Sequence, residues 1–178
     1  MSKKIVAFGG SSSIRSINKK FATFAANRIE NADVKILDLN DYEMPIYSID
    51  KERANGIPQL ASAFRAELLA SDGIIISFAE HNGAYTAAFK NIMDWMSRMG
   101  GEIWGNKPMF LLATSPGGRG GKTVLDIAVN KFQFMNRNTI VHFSLPLFHQ
   151  NFSEMEGIIN DDLLTAFNEQ LAIFEEAI

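Results

Sequence analysis

Gly9-Gly10-Ser11-Ser12-Ser13-Ile14-Arg15-Ser16-Ile17-Asn18 lies between an apolar strand pattern, Ile5-Val6-Ala7-Phe8, and an amphipathic run that begins at Ser16. Two glycines allow a sharp turn and a close approach to a ligand, while serine hydroxyls and unpaired backbone N–H groups converge where a helix starts. The partial positive charge of a helix N-terminus adds to those donors, and Ser11, Ser13 and Ser16 can each give a phosphate one hydrogen bond. The same serines could instead only cap the helix. The phosphate reading leads because the first strand-to-helix turn of an α/β sheet is where such sheets bind ligands.

The rest of the chain narrows the possibilities. Its 178 residues, 47% hydrophobic and 21% charged, suffice for one well-filled core, so a single domain over 1–178 is expected. A net charge of -3 with no basic block speaks against a nucleic-acid or anionic-membrane partner. Cys is absent, which excludes disulfides, thiolate metal sites and a Cys nucleophile, and makes any redox activity depend on a bound cofactor. Neither an apolar leader nor a run of bilayer-spanning length is present, so a cytoplasmic protein is expected. The three histidines have no metal-ligand spacing, and no nucleophile elbow occurs. No metal and no catalytic side chain are therefore assigned.

Apolar runs rich in Ile, Val, Leu and Phe recur at residues 4–8, 34–39, 73–78, 108–114 and 139–145. Helical patterns separate them, over about 16–30, from Pro58 onward, and over 86–99, 120–136 and 161–178. Runs such as Ile74-Ile75-Ile76 are apolar on both faces, as parallel strands covered on each side must be. Five alternations predict a three-layer α/β architecture with a five-stranded parallel sheet in the flavodoxin-like order 2-1-3-4-5. In that order a ligand sits beyond the carboxyl ends of strands 1, 3 and 4. Three loops should then meet over one pocket, at residues 9–18, 79–85 and 115–121, and all three are rich in Gly, Ser or Asn. Residues 40–56 read as one long loop.

Ala79-Glu80-His81-Asn82-Gly83-Ala84-Tyr85-Thr86 offers a flat heteroaromatic ligand backbone donors and acceptors, a close approach at Gly83, and His81 or Tyr85 against its face; an ordinary Asn-Gly turn is the plainer alternative. Ser115-Pro116-Gly117-Gly118-Arg119-Gly120-Gly121-Lys122-Thr123 ends like a nucleotide-binding P-loop. Pro116, however, stands where that motif needs its first Gly. A glycine-rich wall beside a planar ring fits better. Trp95, Trp104, Met93, Met96 and Met99 form an apolar helix face and its exit, explained by core packing or by a contact between subunits.

Gly10-Ser11 with Ser16-Ile17-Asn18-Lys19, Glu80-His81-Asn82-Gly83 with Lys90-Asn91 and Asp94-Trp95, and Lys107-Pro108 with Ser115-Pro116-Gly117-Gly118 together resemble the NADPH-dependent FMN reductases. The resemblance covers nearly the whole chain. It implies that Ser11, Ser13, Ser16, Ile17 and Asn18 hold the FMN phosphate, that Glu80, His81, Asn82 and Gly83 lie along the isoalloxazine, and that Ser115, Gly117 and Gly118 close its other side. Ala79 and His81 stand where that family has Pro and Tyr, and Ser13 where it often has Arg. Met44-Pro45-Ile46-Tyr47 resembles the family's segment near the pocket and the subunit interface. The implied activity is transfer of hydride from NADPH or NADH, through flavin N5, to a small acceptor such as a quinone or a flavin. A homodimer or homotetramer is implied as well, with the Trp95 to Trp104 surface as a candidate contact. A flavodoxin-type electron carrier, matching the hydroxyl spacing of the first loop, and a non-catalytic nucleotide-binding module are the alternatives.

Overall fold

The computed structural model describes residues 2–178 and is built on one parallel sheet. Its strands are β1 (Lys3–Gly10), β2 (Ala32–Leu37), β3 (Gly73–Phe78), β6 (Met109–Thr114) and β7 (Ile140–Leu145). They run in the order β2-β1-β3-β6-β7, all parallel, as the order 2-1-3-4-5 requires. Two short antiparallel hairpins accompany the sheet, β4 (Glu80–His81) with β5 (Ala84–Tyr85) and β8 (Phe152–Ser153) with β9 (Gly157–Ile158). The helices are α1 (Ile17–Asn27), α2 (Ile49–Asn55), α3 (Gln59–Ala70), α4 (Ala87–Ser97), α5 (Lys122–Met135), α6 (Phe148–Asn151) and α7 (Asp161–Ala177).

The pleat sends alternate residues of each central strand into two separate cores. Val6, Phe8, Ile74, Ile76, Phe78 and Leu111 pack under α3, α4 and α5. Ile5, Ala7, Ile75, Phe110 and Leu112 face α1 and α7, where Phe21, Phe167 and Phe174 meet them. All residues of β3 and β6 are buried, which is why their sequence shows no polar alternation.

Three expectations need correction. Gly9 and Gly10 belong to β1 rather than to a turn, and Gly9 is there to admit a helix: a Cβ would lie 2.5 Å from the Lys19 nitrogen. The presumed loop over 40–56 contains a 3-10 turn (Leu39–Tyr42) and α2, capped by the Asp38 and Ser48 side chains. α2 buries no residue, so apolar periodicity had nothing to register there. Trp95 and Trp104 are each 1% exposed, so the core reading holds and neither offers a subunit contact. Asn91 and Trp95, one turn apart on α4, instead hold the chain over residues 44–47. The Trp95 indole donates to the Pro45 carbonyl at 2.8 Å, and the Asn91 amide takes the Tyr47 N–H at 2.9 Å and donates to the Met44 carbonyl at 3.1 Å. Among the described residues no helix is long and apolar enough to cross a membrane.

Because the first turn of α1 crosses β1 at the Gly9 backbone, Gly9→Ala should lower the unfolding free energy by about 1–3 kcal/mol, measured by urea denaturation.

Candidate functional site

β1, β3 and β6 are neighbours in the sheet, so the loops that leave their carboxyl ends emerge side by side. They enclose a cavity of about 230 Å³. The first loop contributes Ser11, Ser13, Arg15, Ser16, Ile17 and Asn18; the second, Ala79, Glu80 and His81; the third, Thr114, Ser115 and Pro116. The loop convergence expected from the strand order is therefore present. Asn82, Gly83, Gly117 and Gly118 lie outside this lining.

The first loop combines capping with free donors. Ser16 is the N-cap of α1, its hydroxyl oxygen accepting from the Lys19 N–H at 3.1 Å, and Ser11 accepts from the Ser13 N–H at 3.1 Å. The backbone N–H groups of Ser12, Ile14, Arg15, Ile17 and Asn18 find no acceptor among the described residues. Ile17 and Asn18 are the first two residues of α1, where orphan donors and the helix dipole point the same way. Arg15, left out of the sequence assignment, adds the one Arg or Lys side chain in the lining. Its place inside a serine-rich anion loop was the signal that could have identified it.

Asn18 lines the cavity and also has a structural role. Its side chain is buried and bonded inside the protein through both its oxygen and its nitrogen, while its backbone N–H finds no acceptor among the described residues. The amide oxygen accepts from the Ser77 hydroxyl at 2.7 Å and from the Thr114 N–H at 3.1 Å, and the amide nitrogen donates to the Thr114 carbonyl at 3.1 Å.

The second loop is a two-residue hairpin. Asn82 and Gly83 both have positive φ, 53° and 76°, as a type I′ turn demands. Its register pairs Glu80 with Tyr85 and His81 with Ala84, and directly opposed residues share a face. His81 and Ala84 are exposed, whereas Glu80 and Tyr85 are half-buried; of the four, Glu80 and His81 line the cavity. The Glu80 carboxylate accepts from the Val124 N–H at 3.0 Å, capping α5, whose own N-cap is Gly121 and has no side chain to offer. Tyr85, expected against a ligand face, packs on Phe78 and Phe89 with ring centroids 5.6 and 5.1 Å away. Its hydroxyl is buried without a partner, and burial pushes its pKa up to about 12.

The glycine run of the third loop divides by role. Gly120 is packed so closely against Leu145 and Pro146 that a Cβ would approach their backbone at 2.9 Å. Gly117 and Gly118 are exposed, with no atom within 4 Å of a Cβ at Gly118. The Gly117 carbonyl accepts from the Leu147 N–H at 3.0 Å, and the Ser115 carbonyl from the Phe148 N–H at 3.0 Å, so the edge of the cavity is fixed from β7's exit.

Residues 3–150 match the family described as NADPH-dependent FMN reductase. Among curated relatives, a 2-hydroxy-1,4-benzoquinone reductase from a Burkholderia species is 32% identical over 121 residues, 67% of this chain and 64% of that protein. An NADPH:quinone oxidoreductase from Arabidopsis thaliana is 28% identical over 95 residues, 53% of this chain and 47% of that protein. The chain thus spans between about half and two thirds of the length of these relatives. The solved structure of FerB, a flavoenzyme NAD(P)H:(acceptor) oxidoreductase from Paracoccus denitrificans, has the same fold. It superposes with a TM-score of 0.77 at 21% identity, covering 98% of this chain and 96% of FerB.

Two outcomes follow from this geometry. Asn18→Ala leaves the Ser77 hydroxyl and both Thr114 backbone groups buried and unpaired, so it should cost about 3 kcal/mol in urea denaturation and remove hydrogen-exchange protection at the Thr114 amide. Tyr85 stays neutral in the fold to about pH 12 but ionises near 10 once unfolded, so stability present below pH 10 is lost as pH rises toward 12. Tyr85→Phe should shrink that alkaline loss and leave the neutral-pH denaturation midpoint equal or higher, since it deletes an unpartnered hydroxyl.

Proposed function

The chain belongs to the NADPH-dependent FMN reductase family, and from that premise we propose that it binds FMN in the three-loop cavity and acts as an NAD(P)H-dependent reductase of small acceptors, quinones foremost. The observation that carries this reading is the set of five unsatisfied backbone N–H groups in and just after the first loop, two of them on the first turn of α1, beside the Arg15 side chain. A dianionic phosphate is the group that such donors fit. Ser11, Ser13 and Ser16 add hydroxyls around the same point. The cavity, at about 230 Å³, lies below the range of about 300–1,000 Å³ that encloses a whole drug-sized ligand, so it suits the phosphate and sugar chain of a mononucleotide while the ring lies across the open loop edges.

FMN, when bound, supplies the exchange of a hydride equivalent between NAD(P)H and the acceptor. The protein's part is position and electrostatics. The backbone of Asn82-Gly83 on one side and of Gly117-Gly118 on the other present dipoles without bulky side chains, a fixed arrangement suited to negative charge at a ring edge. Glu80 holds the first of these edges through α5, and the Leu147 and Phe148 amides hold the second. His81 is exposed at the open rim of the cavity, where nicotinamide and then acceptor would use one face in turn. The quinone reductases among the relatives support the choice of acceptor class.

An anaerobic visible spectrum of the FMN-saturated protein should bleach rapidly on addition of NADPH or NADH and recover on addition of a benzoquinone. Bound flavin that stays oxidised with both nucleotides would replace this reading with an electron carrier. Ile17→Pro tests the anion cradle directly. It deletes one free N–H at a helix position where Pro is accommodated, after a residue already extended at φ -60° and ψ 116°. FMN affinity should fall about fivefold to tenfold, with the thermal midpoint nearly unchanged.

A further inference from the structure

A groove of about 480 Å³ outside the three-loop cavity runs along the outer side of α1. Its composition is mixed in a specific way. Phe24 and Phe152, both half-buried, meet edge to face with centroids 5.4 Å apart and form an apolar floor. Lys19, Lys20 and Arg28 stand on the rim, and Glu154 is the one carboxylate among the lining residues. Arg28 lies 5.7 Å from the Phe24 ring centroid and has no carboxylate partner among the described residues. Lys19 is tied to Asp38 at 2.5 Å, while Lys20 pairs with Glu154. Ser16 lines both this groove and the three-loop cavity.

An aromatic floor under a cationic rim matches a planar base carrying phosphate. The cavity of about 280 Å³ on the other side of the first loop does not: it contains Glu43 and no Lys or Arg. We propose that the α1 groove binds the phosphorylated adenosine end of the nicotinamide dinucleotide, with the base over Phe24 and Phe152 and its phosphates at Arg28 and Lys20. This rests on the reductase reading, which requires the nicotinamide to lie over the flavin and therefore the rest of the dinucleotide to leave along a neighbouring surface. The α1 groove, which shares Ser16 with the three-loop cavity, is such a neighbouring surface. Glu154 competes with the phosphate for Lys20, and the ammonium beside it holds its carboxyl below the usual carboxylate range.

The test uses adenosine 2′,5′-bisphosphate as a calorimetric probe of the flavin-free protein, together with steady-state kinetics of the FMN-loaded protein. NADPH is compared there with reduced nicotinamide mononucleotide, which lacks the adenylate. In a Lys20→Ala/Arg28→Ala variant, bisphosphate affinity should fall about tenfold or more, and KM for NADPH should rise by a similar factor. In the same variant kcat and the KM of the mononucleotide should be unchanged. Glu154→Gln should do the reverse, tightening the bisphosphate about twofold to fivefold. Unaltered bisphosphate binding in the double variant, or a parallel rise in KM for the mononucleotide, overturns the groove assignment while leaving the reductase reading intact. Absence of flavin reduction by either nucleotide overturns the reductase reading itself, and the groove assignment with it.

Discussion

The buried amide of Asn18 is the constraint on which the site depends. Three hydrogen bonds from one side chain join the first turn of α1 to Ser77 near the end of β3 and to Thr114 at the end of β6. Two of the three strands whose loops converge, β3 and β6, are thereby locked to α1 at the edge where they converge. In a buried setting such bonds gain strength from the low dielectric, and an unpaired member would cost heavily. The arrangement is therefore close to all-or-none: either the helix turn, β3 and β6 are in register, or several polar groups are stranded together.

Two further ties extend this lock into the loops. The Thr86 hydroxyl donates to the Gly10 carbonyl at 2.8 Å while accepting from the Phe89 N–H, so the residue that starts α4 also clasps the end of β1. Glu80 reaches from the hairpin to the start of α5. Polar side chains that look like ligand groups are thus spent on holding the rim, and the free donors that remain are mostly backbone. Backbone donors held this way need little reorganisation when a charged ligand arrives, which is the condition for strong electrostatic binding and catalysis.

The sheet was legible because β3 and β6 are buried on both faces and so read as unbroken apolar runs. Helices with apolar stripes, such as α1 and α4, were legible for the equivalent reason. α2 and the hairpin over residues 152–158 were not, and of the hairpin over residues 80–85 only its Asn82-Gly83 turn was. They are short, bury little or pair only two residues per strand, and carry no periodic signal long enough to read. Trp95 shows the same limit in a side chain: its indole could have faced a partner, and only the position of the Pro45 carbonyl draws it inward.

What the sequence determined by itself was local chemistry and layering: a serine-rich strand-to-helix turn at Ser11 to Asn18, a sheet covered on both faces, and loops of small polar residues at its carboxyl edge. These depend on neighbours a few positions away, and spacing encodes them. Which side chains point into the cavity was decided only by the tertiary structure. The Asn18 amide is bonded inside the protein because Thr114, 96 positions distant, supplied both a donor and an acceptor. The Glu80 carboxylate is taken up by the Val124 N–H, 44 positions further on, because α5 begins at a glycine and has no side-chain cap of its own. A polar side chain follows the strongest unsatisfied partner within reach, and in this chain those partners are brought within reach only by the completed fold.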